Sequence, residues 1–307
     1  MPGLGPGGLT QRSACFGALR SFFLENGYIE VDTPLRLPLL LPEAHLVPYA
    51  SEGFWLHCSP EACMKRLLAR GCPRLFQLCH CFRKEENGRL HQGEFAMLEW
   101  YRAHADYHDL MSECERLFSS LAAELAGFPG LQKPGCITWQ GREIDLSAPW
   151  ERLTIQDAFQ RYAGSTPEAA IREDRFEEVL VERIEPHLGQ GRPTFLCDYP
   201  VALGSLARKS PENREIAERF ELYVAGIELA NGFSELNDAA EQRERFAAAI
   251  TTIEAAGRKA AMPERFLEDL ERMPEAAGIA LGFDRLFMLL TDLNDIRDAV
   301  PFSAEDL

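Results

Sequence analysis

Residues 75–103, LFQLCHCFRKEENGRLHQGEFAMLEWYRA, form the stretch that decides the fold of this chain. Apolar and polar side chains alternate from Leu75 to Arg83, which is the period-2 pattern of a strand. A charged loop with two glycines follows, and the alternation resumes at Glu94. One face of the second strand carries Phe95, Met97, Glu99 and Tyr101. The stretch therefore predicts strand, loop and strand, with a carboxylate, a phenol and an aromatic ring on one surface.

Glu99 lies between apolar neighbours on that strand face. A charged carboxylate in such a position costs several kcal/mol of desolvation, of the order of any buried unpaired ion, unless a cation or several donors meet it. We therefore expect a positive group against Glu99. The residues alone leave two sources open, a bound ligand or a structural arginine of the same chain.

The segment FRKEENGRLHQGEFAMLEWY, residues 82–101, resembles the second signature of class II aminoacyl-tRNA synthetases, and its MLEWY ending is similar to the lysyl-tRNA synthetase version. The resemblance implies an α+β fold, the class II catalytic core, with an antiparallel β-sheet flanked by helices. It also implies ATP binding, with Arg83 at the reacting groups and Phe95 stacked on adenine. The implied ATP contacts are Arg83, Lys84, Glu85, His91, Phe95 and Gln92, the last standing where asparagine is usual.

Composition limits the class of protein. With 307 residues, 46% of them hydrophobic, the chain can bury a sizeable core as one large domain or two. No apolar run approaches about 18 residues, and the N-terminus lacks the pattern of a secretion signal, so we expect a cytoplasmic protein with residues 1–9 as a disordered tail and no membrane contact. A formal charge of −16 weighs against a nucleic-acid partner.

Nine cysteines are present without any C-x-x-C pair. The cluster from Cys58 to Cys81 has irregular spacing and lacks the paired knuckles of zinc sites. Buried free thiols are therefore the favoured interpretation.

The segment from Thr10 to Pro34 predicts a helix over Thr10–Asn26, closed by Gly27, and then a strand. Helix, strand and proline in this order resemble the first class II signature. That resemblance implies a homodimer interface.

Ser59, Pro60 and Glu61 are predicted to begin a helix, with Ser59 as its cap and proline in its first turn. Without the resemblance, Glu61 needs no further role, because an acidic side chain in the first turn interacts favourably with the positive end of the helix dipole. By resemblance to the lysyl-type SPE segment, Ser59, Pro60 and Glu61 would meet the amino group of the substrate.

The middle of the chain predicts a helix over Asp106–Ala126 and two short strands around Gln140-Gly141. Further helices are expected over Thr154–Tyr162 and Arg175–His187. We expect residues 127–192 to be an insertion between the signatures of a single domain.

The segment RFELYVAGIELANGFSE, residues 219–235, predicts a hairpin that turns at Ala225-Gly226. Tyr223 would then face Glu228, with Glu221 on the same face. Two converging carboxylates repel, raise one pKa or bind a cation, for which Mg²⁺ is suited. An exposed acidic hairpin is the open alternative.

The same segment resembles the lysyl-tRNA synthetase stretch that serves ATP, Mg²⁺ and the amino acid. The resemblance implies that Glu221 and Glu228 hold Mg²⁺ and that Leu222 lies at ATP. The implied substrate contacts are Glu228, Asn231, Phe233 and Glu235, which join Glu99 and Tyr101. Such an acidic pocket suits an ammonium group on a four-carbon stem, because a neutral amino acid would leave carboxylates unpaired.

The segment GIALGFDRLFMLL, residues 278–290, predicts a strand that enters a helix and resembles the third class II signature. The resemblance implies that Gly282 and Arg285 contact ATP, with Arg285 as the second catalytic arginine. Ala280 stands where lysyl-tRNA synthetases usually have glycine and would place an extra methyl group against the substrate pocket.

Two departures from lysyl-tRNA synthetases point the same way. The first signature begins near residue 10, so we expect no N-terminal anticodon-binding domain, and we expect Ala280 to alter the shape of the pocket. Both resemble the paralogues that attach (R)-β-lysine to elongation factor P. The resemblance implies ATP and Mg²⁺, lysine or (R)-β-lysine, and elongation factor P as partner, with tRNA disfavoured. A truncated lysyl-tRNA synthetase and an idle regulatory paralogue remain the alternatives.

Overall fold

The computed structural model describes residues 3–303 and 305–307. Its helices are α1 (Pro6–Glu25), α2 (Glu61–Leu68), α3 (Tyr107–Glu124), α4 (Ile155–Ala158), α5 (Pro167–Arg172), α6 (Phe176–Val179), α7 (Ala239–Ala255), α8 (Glu264–Leu270) and α9 (Phe283–Leu290). Its strands are β1 (Ile29–Glu30), β2 (Arg36–Leu37), β3 (Ala50–Ser51), β4 (Phe54–Leu56), β5 (Arg74–Phe82), β6 (Glu94–Ala103), β7 (Cys136–Trp139), β8 (Arg142–Asp145), β9 (Glu151–Thr154), β10 (Thr194–Pro200), β11 (Ile216–Val224), β12 (Ile227–Ser234) and β13 (Ala276–Gly282).

An eight-stranded sheet is the centre of the fold, in the order β1-β5-β6-β13-β12-β11-β10-β9. Only the two edge strands, β1 and β9, run parallel to their neighbours, and the other pairings are antiparallel. The sheet and its flanking helices confirm the α+β, mainly antiparallel fold that the signatures implied.

The two faces of the sheet have different partners. Phe76 and Trp100 lie on the face covered by α1 and α3, where both rings pack on Phe23, with centroids 4.8 and 5.1 Å away. On the other face α2, α7 and α8 surround a second apolar cluster that includes Leu75 and Tyr101. The opposite orientation of Trp100 and Tyr101 confirms the alternation predicted for β6.

Both predicted hairpins form. β5 and β6 pair through residues 74–102 across the charged loop. β11 and β12 join through Ala225 and Gly226, whose φ angles of 54° and 79° give the left-handed turn that suits a two-residue hairpin. Tyr223 lies opposite Glu228, as predicted.

One buried ion pair joins the three signature segments. Arg12 of α1 lies 2.7 Å from Asp284 of α9, and the other oxygen of Asp284 accepts a hydrogen bond from the amide of Ala96 on β6 at 2.7 Å. The Arg12 guanidinium also lies over the Phe283 ring, 4.7 Å from its centroid. The first helix, the central hairpin and the last helix are therefore fixed to one another.

Several predicted boundaries were wrong. α1 begins at Pro6, because proline fits the first helical turn, so residues 6–9 are helix and not tail. Met1 and Pro2 lie outside the described residues. The strand before Pro34 is only the two residues of β1. Residues 127–192 contribute the hairpin β7–β8 and also β9, which extends the main sheet.

The helical segments predicted over Thr154–Tyr162 and Arg175–His187 both form, but each contains only about one turn of regular α-helix. α4 continues into a π-helical turn over Phe159–Ala163, and α6 continues into another over Leu180–Ile184. The helix over Asp106–Ala126 is confirmed as α3, with Asp106 as its cap in a full capping box. Within residues 3–303 and 305–307, no helix combines the length and apolar character needed to cross a membrane.

Candidate active site

Strand pairing aligns predicted site residues in a row across the sheet. Glu99 on β6 lies opposite Ala280 on β13. Ala280 in turn lies opposite Asn231 on β12, which lies opposite Glu221 on β11. Directly opposed residues share a face, so segments far apart in sequence meet on one surface. A neighbouring row on the same face holds Tyr101, Gly278, Phe233 and Arg219.

A cavity of about 880 Å³ lies over these rows. The predicted site residues that line it are Ser59, Glu61, Arg83, Glu99, Tyr101, Asn231, Phe233 and Ala280. α2 begins at Glu61 with Pro60 at the capping position, where Ser59 had been predicted. The hydroxyl of Ser59 accepts from the Glu61 amide at 3.4 Å, so it supports the helix start only weakly.

Glu99 meets a hydroxyl rather than a cation. Its Oε1 accepts a hydrogen bond from the Tyr101 hydroxyl at 2.6 Å, and its Oε2 is buried with no hydrogen-bond partner among the described residues. Burial, followed by the charge of Glu61, raises the pKa of Glu99 well above its usual range. The structural arginine that the sequence left open is not found against Glu99 in the described part of the chain.

Glu235 is paired by a residue that the sequence reasoning missed. Lys65 of α2, with a side chain only 2% exposed, places its Nζ 2.6 Å from Glu235 Oε2 and also in contact with Glu61 Oε1. Glu235 lies close to Tyr101 and Gly278. A Cβ atom added at Gly278 would collide with the side chains of both Glu235 and Tyr101. The expectation that Glu235 waits for a ligand cation was incomplete, because an internal ammonium already contacts it.

The pKa values in this group follow from burial and pairing. Burial raises the pKa of Glu235 to about 8, although Lys65 opposes the shift. Burial alone would lower the pKa of Lys65, but the charges of Glu235 and Glu61 outweigh it and hold the pKa above the usual value. Lys65 therefore stays charged, while burial favours the protonated forms of Glu99 and Glu235 by raising the pKa of each.

Arg83, the first predicted catalytic arginine, contacts side chains that a ligand could replace. Arg83 lies 3.2 Å from Glu86 and over the Phe95 ring, with 5.2 Å between Cζ and the centroid. The Nε of Arg83 is buried without a hydrogen-bond partner among the described residues. Because the guanidinium already covers one face of Phe95, adenine could stack only on the other face.

Arg285 lies where the charged loop meets the β11–β12 hairpin. It donates to the carbonyl oxygens of Leu90, at 3.1 Å, and Glu228, at 2.7 Å, and it contacts the His91 ring. Burial, followed by the charge of Arg285, lowers the pKa of His91 and keeps the ring neutral. His91, Arg285 and Glu228 are therefore brought together, as the signatures implied.

The other predicted ATP contacts are positioned less directly. Lys84 and Glu85 are exposed on the loop, and the Gln92 side chain donates to the carbonyl of Ile296 at 3.2 Å. Leu222 points into the apolar core on the opposite face of the sheet and is fully buried between β10 and β12, so the structure does not place its side chain at the cavity. A Cβ at Gly282 would stand in ordinary van der Waals contact with Arg285, 3.7 Å away.

Glu221 and Glu228, the two carboxylates of the β11–β12 hairpin, differ in how many groups of the protein already contact them. Glu221 accepts from four donors, Arg219, Tyr199, Tyr223 and Asn231, at 2.6 to 3.1 Å. Burial and the charge of Glu228 raise the pKa of Glu221. Glu228 is 37% exposed and lies 3.5 Å from Arg285.

Lys65, Arg219 and Glu43 were missed by the sequence reasoning. Lys65 stands four residues after Glu61, a spacing that places both on one helix face. Arg219 stands two residues before Glu221 and so shares its strand face. Glu43 left no comparable signal, since it lies on an irregular loop. Burial and the charge of Glu61 raise the pKa of Glu43 to about 7, and its charge also acts on Arg83.

A thiol cluster lies beside the pocket. The Nε2 of His57 is 3.9 Å from the sulfur atoms of both Cys79 and Cys81, a grouping that the sequence spacing had not shown. The same nitrogen lies 2.8 Å from the carbonyl oxygen of His80, a contact that requires Nε2 to carry its proton. No lone pair is then directed at the thiols. All nine cysteines are free, as predicted, although Cys63, Cys72, Cys79 and Cys136 are only half-buried.

Comparisons with known proteins agree with this geometry. Residues 8–306 match the family of class II tRNA synthetases (D, K and N). The chain is 38% identical over 313 residues to the elongation factor P--(R)-beta-lysine ligase of Edwardsiella ictaluri, with 97% of this chain and 95% of that protein covered. The corresponding ligase of Salmonella gallinarum is 39% identical over 315 residues, with the same coverage.

A lysine--tRNA ligase from Psychrobacter arcticus is 36% identical over 321 residues, but the match covers 95% of this chain and only 61% of that longer protein. The family match and the full-length relatives lead to one conclusion. This chain belongs to the class II tRNA synthetase family of the D, K and N type.

Proposed function

We propose that this chain is an ATP-dependent ligase that activates (R)-β-lysine or lysine as an aminoacyl-adenylate and transfers it to the ε-amino group of a lysine on elongation factor P. The observation that carries the proposal is the set of buried acids Glu61, Glu99 and Glu235 beside Arg83, in a protein whose full-length relatives carry that ligase name. Buried carboxylates in this number select a ligand rich in ammonium groups.

In the first step a carboxylate oxygen of the amino acid attacks the α-phosphorus of ATP, and the bond to the β-phosphate oxygen breaks to release pyrophosphate. Positioning and charge neutralisation supply the catalysis, because no side chain becomes covalently attached. Arg83 would exchange Glu86 for the substrate carboxylate and the α-phosphate. Arg285 would exchange the His91 contact for the outer phosphates.

The hairpin carboxylates fit a magnesium ion only in part. Mg²⁺, when bound, neutralises phosphate charge and takes oxygen ligands. Glu228 is half-exposed and open to such a role. Glu221 is fully occupied by four donors, so it would have to give up one of them to become a ligand.

In the second step the ε-amine of the acceptor lysine attacks the carbonyl carbon of the adenylate, AMP leaves with the bonding pair, and the amine loses a proton to solvent. The amine must therefore arrive unprotonated. Glu61 would hold the amino group near the carboxylate of the bound substrate, and Glu99 with the Tyr101 hydroxyl would receive the distant ammonium. Asn231, Phe233 and Ala280 would complete the walls of the pocket.

A cytoplasmic homodimer built on α1 and β1 is the proposed assembly. Leu24 and Ile29 are 54% and 53% exposed there, so two large apolar side chains face outward close together. Burying them against a second copy would remove apolar surface from water. Sedimentation of the wild-type protein and of a Leu24→Glu/Ile29→Glu variant would test the assembly.

Exchange of labelled pyrophosphate into ATP, with lysine or (R)-β-lysine supplied, tests the activation step. Absence of exchange with either amino acid would support an idle paralogue. Acceptor assays with purified elongation factor P and with tRNA test the transfer step. Labelling of elongation factor P alone is the expected result, and labelling of tRNA instead would support a lysine--tRNA ligase.

A further inference from the structure

Lys65 is a buried lysine ammonium at the back of the proposed substrate pocket. Its side chain is 2% exposed, its Nζ contacts Glu61 and Glu235, and the Phe233 ring lies 5.0 Å away. Two of these partners, Glu61 and Phe233, line the cavity, whereas Lys65 does not. Lys65 therefore touches the groups that would touch the substrate.

We propose that Lys65 is a positioning residue of the amino-acid pocket, because its ammonium group holds Glu61 and Glu235 together. Its single positive charge leaves the three buried acids with a net charge of two negative charges when they are ionised. A ligand with two ammonium groups neutralises that net charge. The inference rests on the proposed function and deepens it. In this proposal, Lys65 explains why a diamino acid fits the pocket and a monoamino acid does not.

The geometry gives the positioning role. Glu61 and Lys65 are four residues apart on α2, so they lie one above the other on the helix face that meets the sheet. Lys65 then extends to Glu235, which directly follows β12. One side chain thus joins the carboxylate at the start of α2 to a carboxylate held by the sheet, and the Glu61 position depends on both contacts.

The charges give the ligand class. The buried set contains the acids Glu61, Glu99 and Glu235 and the single cation Lys65, so two negative charges are left when the acids are ionised. Two other acids nearby pair with arginines, Glu86 with Arg83 and Glu221 with Arg219. Glu43 is not counted, because burial and the charge of Glu61 raise its pKa to about 7, which favours its neutral form.

Carboxylate oxygens without hydrogen-bond partners support the same count of two negative charges. Glu99 Oε2 and Glu235 Oε1 are buried and without a hydrogen-bond partner among the described residues. Each such oxygen costs free energy unless a donor meets it, and burial raises the pKa of both carboxyl groups in the free protein. The ammonium groups of a bound ligand would supply the missing donors.

The first experiment uses the wild-type protein and measures thermal unfolding with 1,5-diaminopentane or 1-aminopentane. These two ligands share a five-carbon chain and differ by one ammonium group. We expect the diamine to bind at least about tenfold more tightly, the factor that about 1.4 kcal/mol represents. Equal binding of the two amines would overturn the charge count. Because this readout needs no ATP and no catalysis, it is independent of the proposed ligase activity.

The second experiment compares Lys65→Met, which keeps the length of the side chain and removes its charge, with Lys65→Arg, which keeps the charge. In pyrophosphate exchange, Lys65→Met should raise the KM for lysine at least about tenfold and change kcat and the KM for ATP less than about threefold. Lys65→Arg should recover most of the lysine KM. Lys133→Met is the matched control, since Lys133 pairs with Glu143 on the surface.

A merely structural lysine would give a different pattern. Lys65→Met would then behave like wild type once folded, or would lower kcat and raise the KM for both lysine and ATP without recovery by arginine, and either result would overturn the proposal. If Lys65→Met does not fold, the diamine comparison in the wild type and the lysine KM of Lys65→Arg still decide the question. Wild-type exchange activity shows separately whether the proposed function holds.

Discussion

The amino-acid side and the nucleotide side of the site are built differently. Lys65 and Glu235 are 2% and 0% exposed, and helix α2 and the main sheet hold them in fixed positions. Arg83, Arg285 and Glu228 are 26%, 17% and 37% exposed and lie at a loop and a hairpin. If the proposed function holds, selection of the amino acid is fixed in the packed interior, whereas the arginines proposed to bind phosphate rest on partners that they can exchange.

The largest expected effect comes from breaking the buried side. Glu235→Gln leaves Lys65 with one partner fewer, and removing one member of a buried ion pair costs about 3–5 kcal/mol. We expect a loss of about 10²- to 10³-fold in kcat/KM for lysine adenylation, while the affinity for ATP stays close to wild type. Pyrophosphate exchange and titration with ATP measure the two quantities.

Glu94→Gln is the control for that change. Glu94 is a surface residue on β6, 59% exposed and paired with His80, so the same substitution there should leave lysine adenylation unchanged. Loss of ATP binding in Glu235→Gln would mean that the division between the two sides is wrong.

The next largest effect should come from the nucleotide side. Arg83→Lys keeps the charge but removes the planar fork that can bind two oxygens, so we expect kcat for adenylation to fall about 100-fold. Arg89→Lys changes the same loop at an exposed arginine that binds Asn294, and it should have little effect. Similar losses in both variants would show that the loop as a whole, rather than Arg83, carries the effect.

The pH dependence should separate the two sides further. The pKa of Glu235 is raised to about 8 in the folded protein, so its contribution to stability is present at low pH and is lost as the pH rises through about 8. Lysine binds the ionised form, so its Kd should rise up to about tenfold for each pH unit below 8 if one proton is displaced.

Thermal unfolding with and without lysine, from pH 6 to 8.5, measures this dependence. The increase in Tm caused by lysine should grow with pH, whereas the increase caused by Mg-ATP should change less. A lysine effect that is constant with pH would contradict the assignment of protons to the free pocket.

The smallest expected effect concerns Ala280, whose methyl group lies between Glu99 and Asn231 in the row across the sheet. Ala280→Gly removes one methyl group, worth about 0.8 kcal/mol, and should shift the ratio of kcat/KM about fourfold toward α-lysine over (R)-β-lysine. Ala277→Gly makes the same change on the opposite face of β13 and should lower stability without changing the ratio. An unchanged ratio in Ala280→Gly would remove Ala280 from the specificity determinants.

Much of the fold could be predicted because the local signals were strong. The alternation in β5 and β6 fixed which side chains share a face with Glu99, and Ala225-Gly226 fixed the register of Tyr223 against Glu228. The ends of the helices were predicted less accurately. For example, α1 begins at Pro6, before any apolar periodicity appears in the sequence. In the middle segment the positions of the helical turns were predictable, but the change from α-helical to π-helical turns was not.

The site was only partly predictable for a related reason. The acids Glu61, Glu99 and Glu235 were identified, and the four-residue spacing could have indicated the Glu61–Lys65 contact, but the contact of Lys65 with Glu235 depends on how α2 packs on the sheet. Similarly, the four donors around Glu221 come from three strands. Sequence patterns show which groups are present, and the packing decides which of them are already satisfied.

The contact between Arg12 and Asp284 sets a practical limit on trimming the chain. A shortened version that starts after residue 12 would leave the Asp284 carboxylate buried without its ionic partner, at a cost of about 3–5 kcal/mol. That cost is comparable to the whole stability of many domains. Expression designs and affinity tags should therefore extend the N-terminus outward and never replace the first turns of α1.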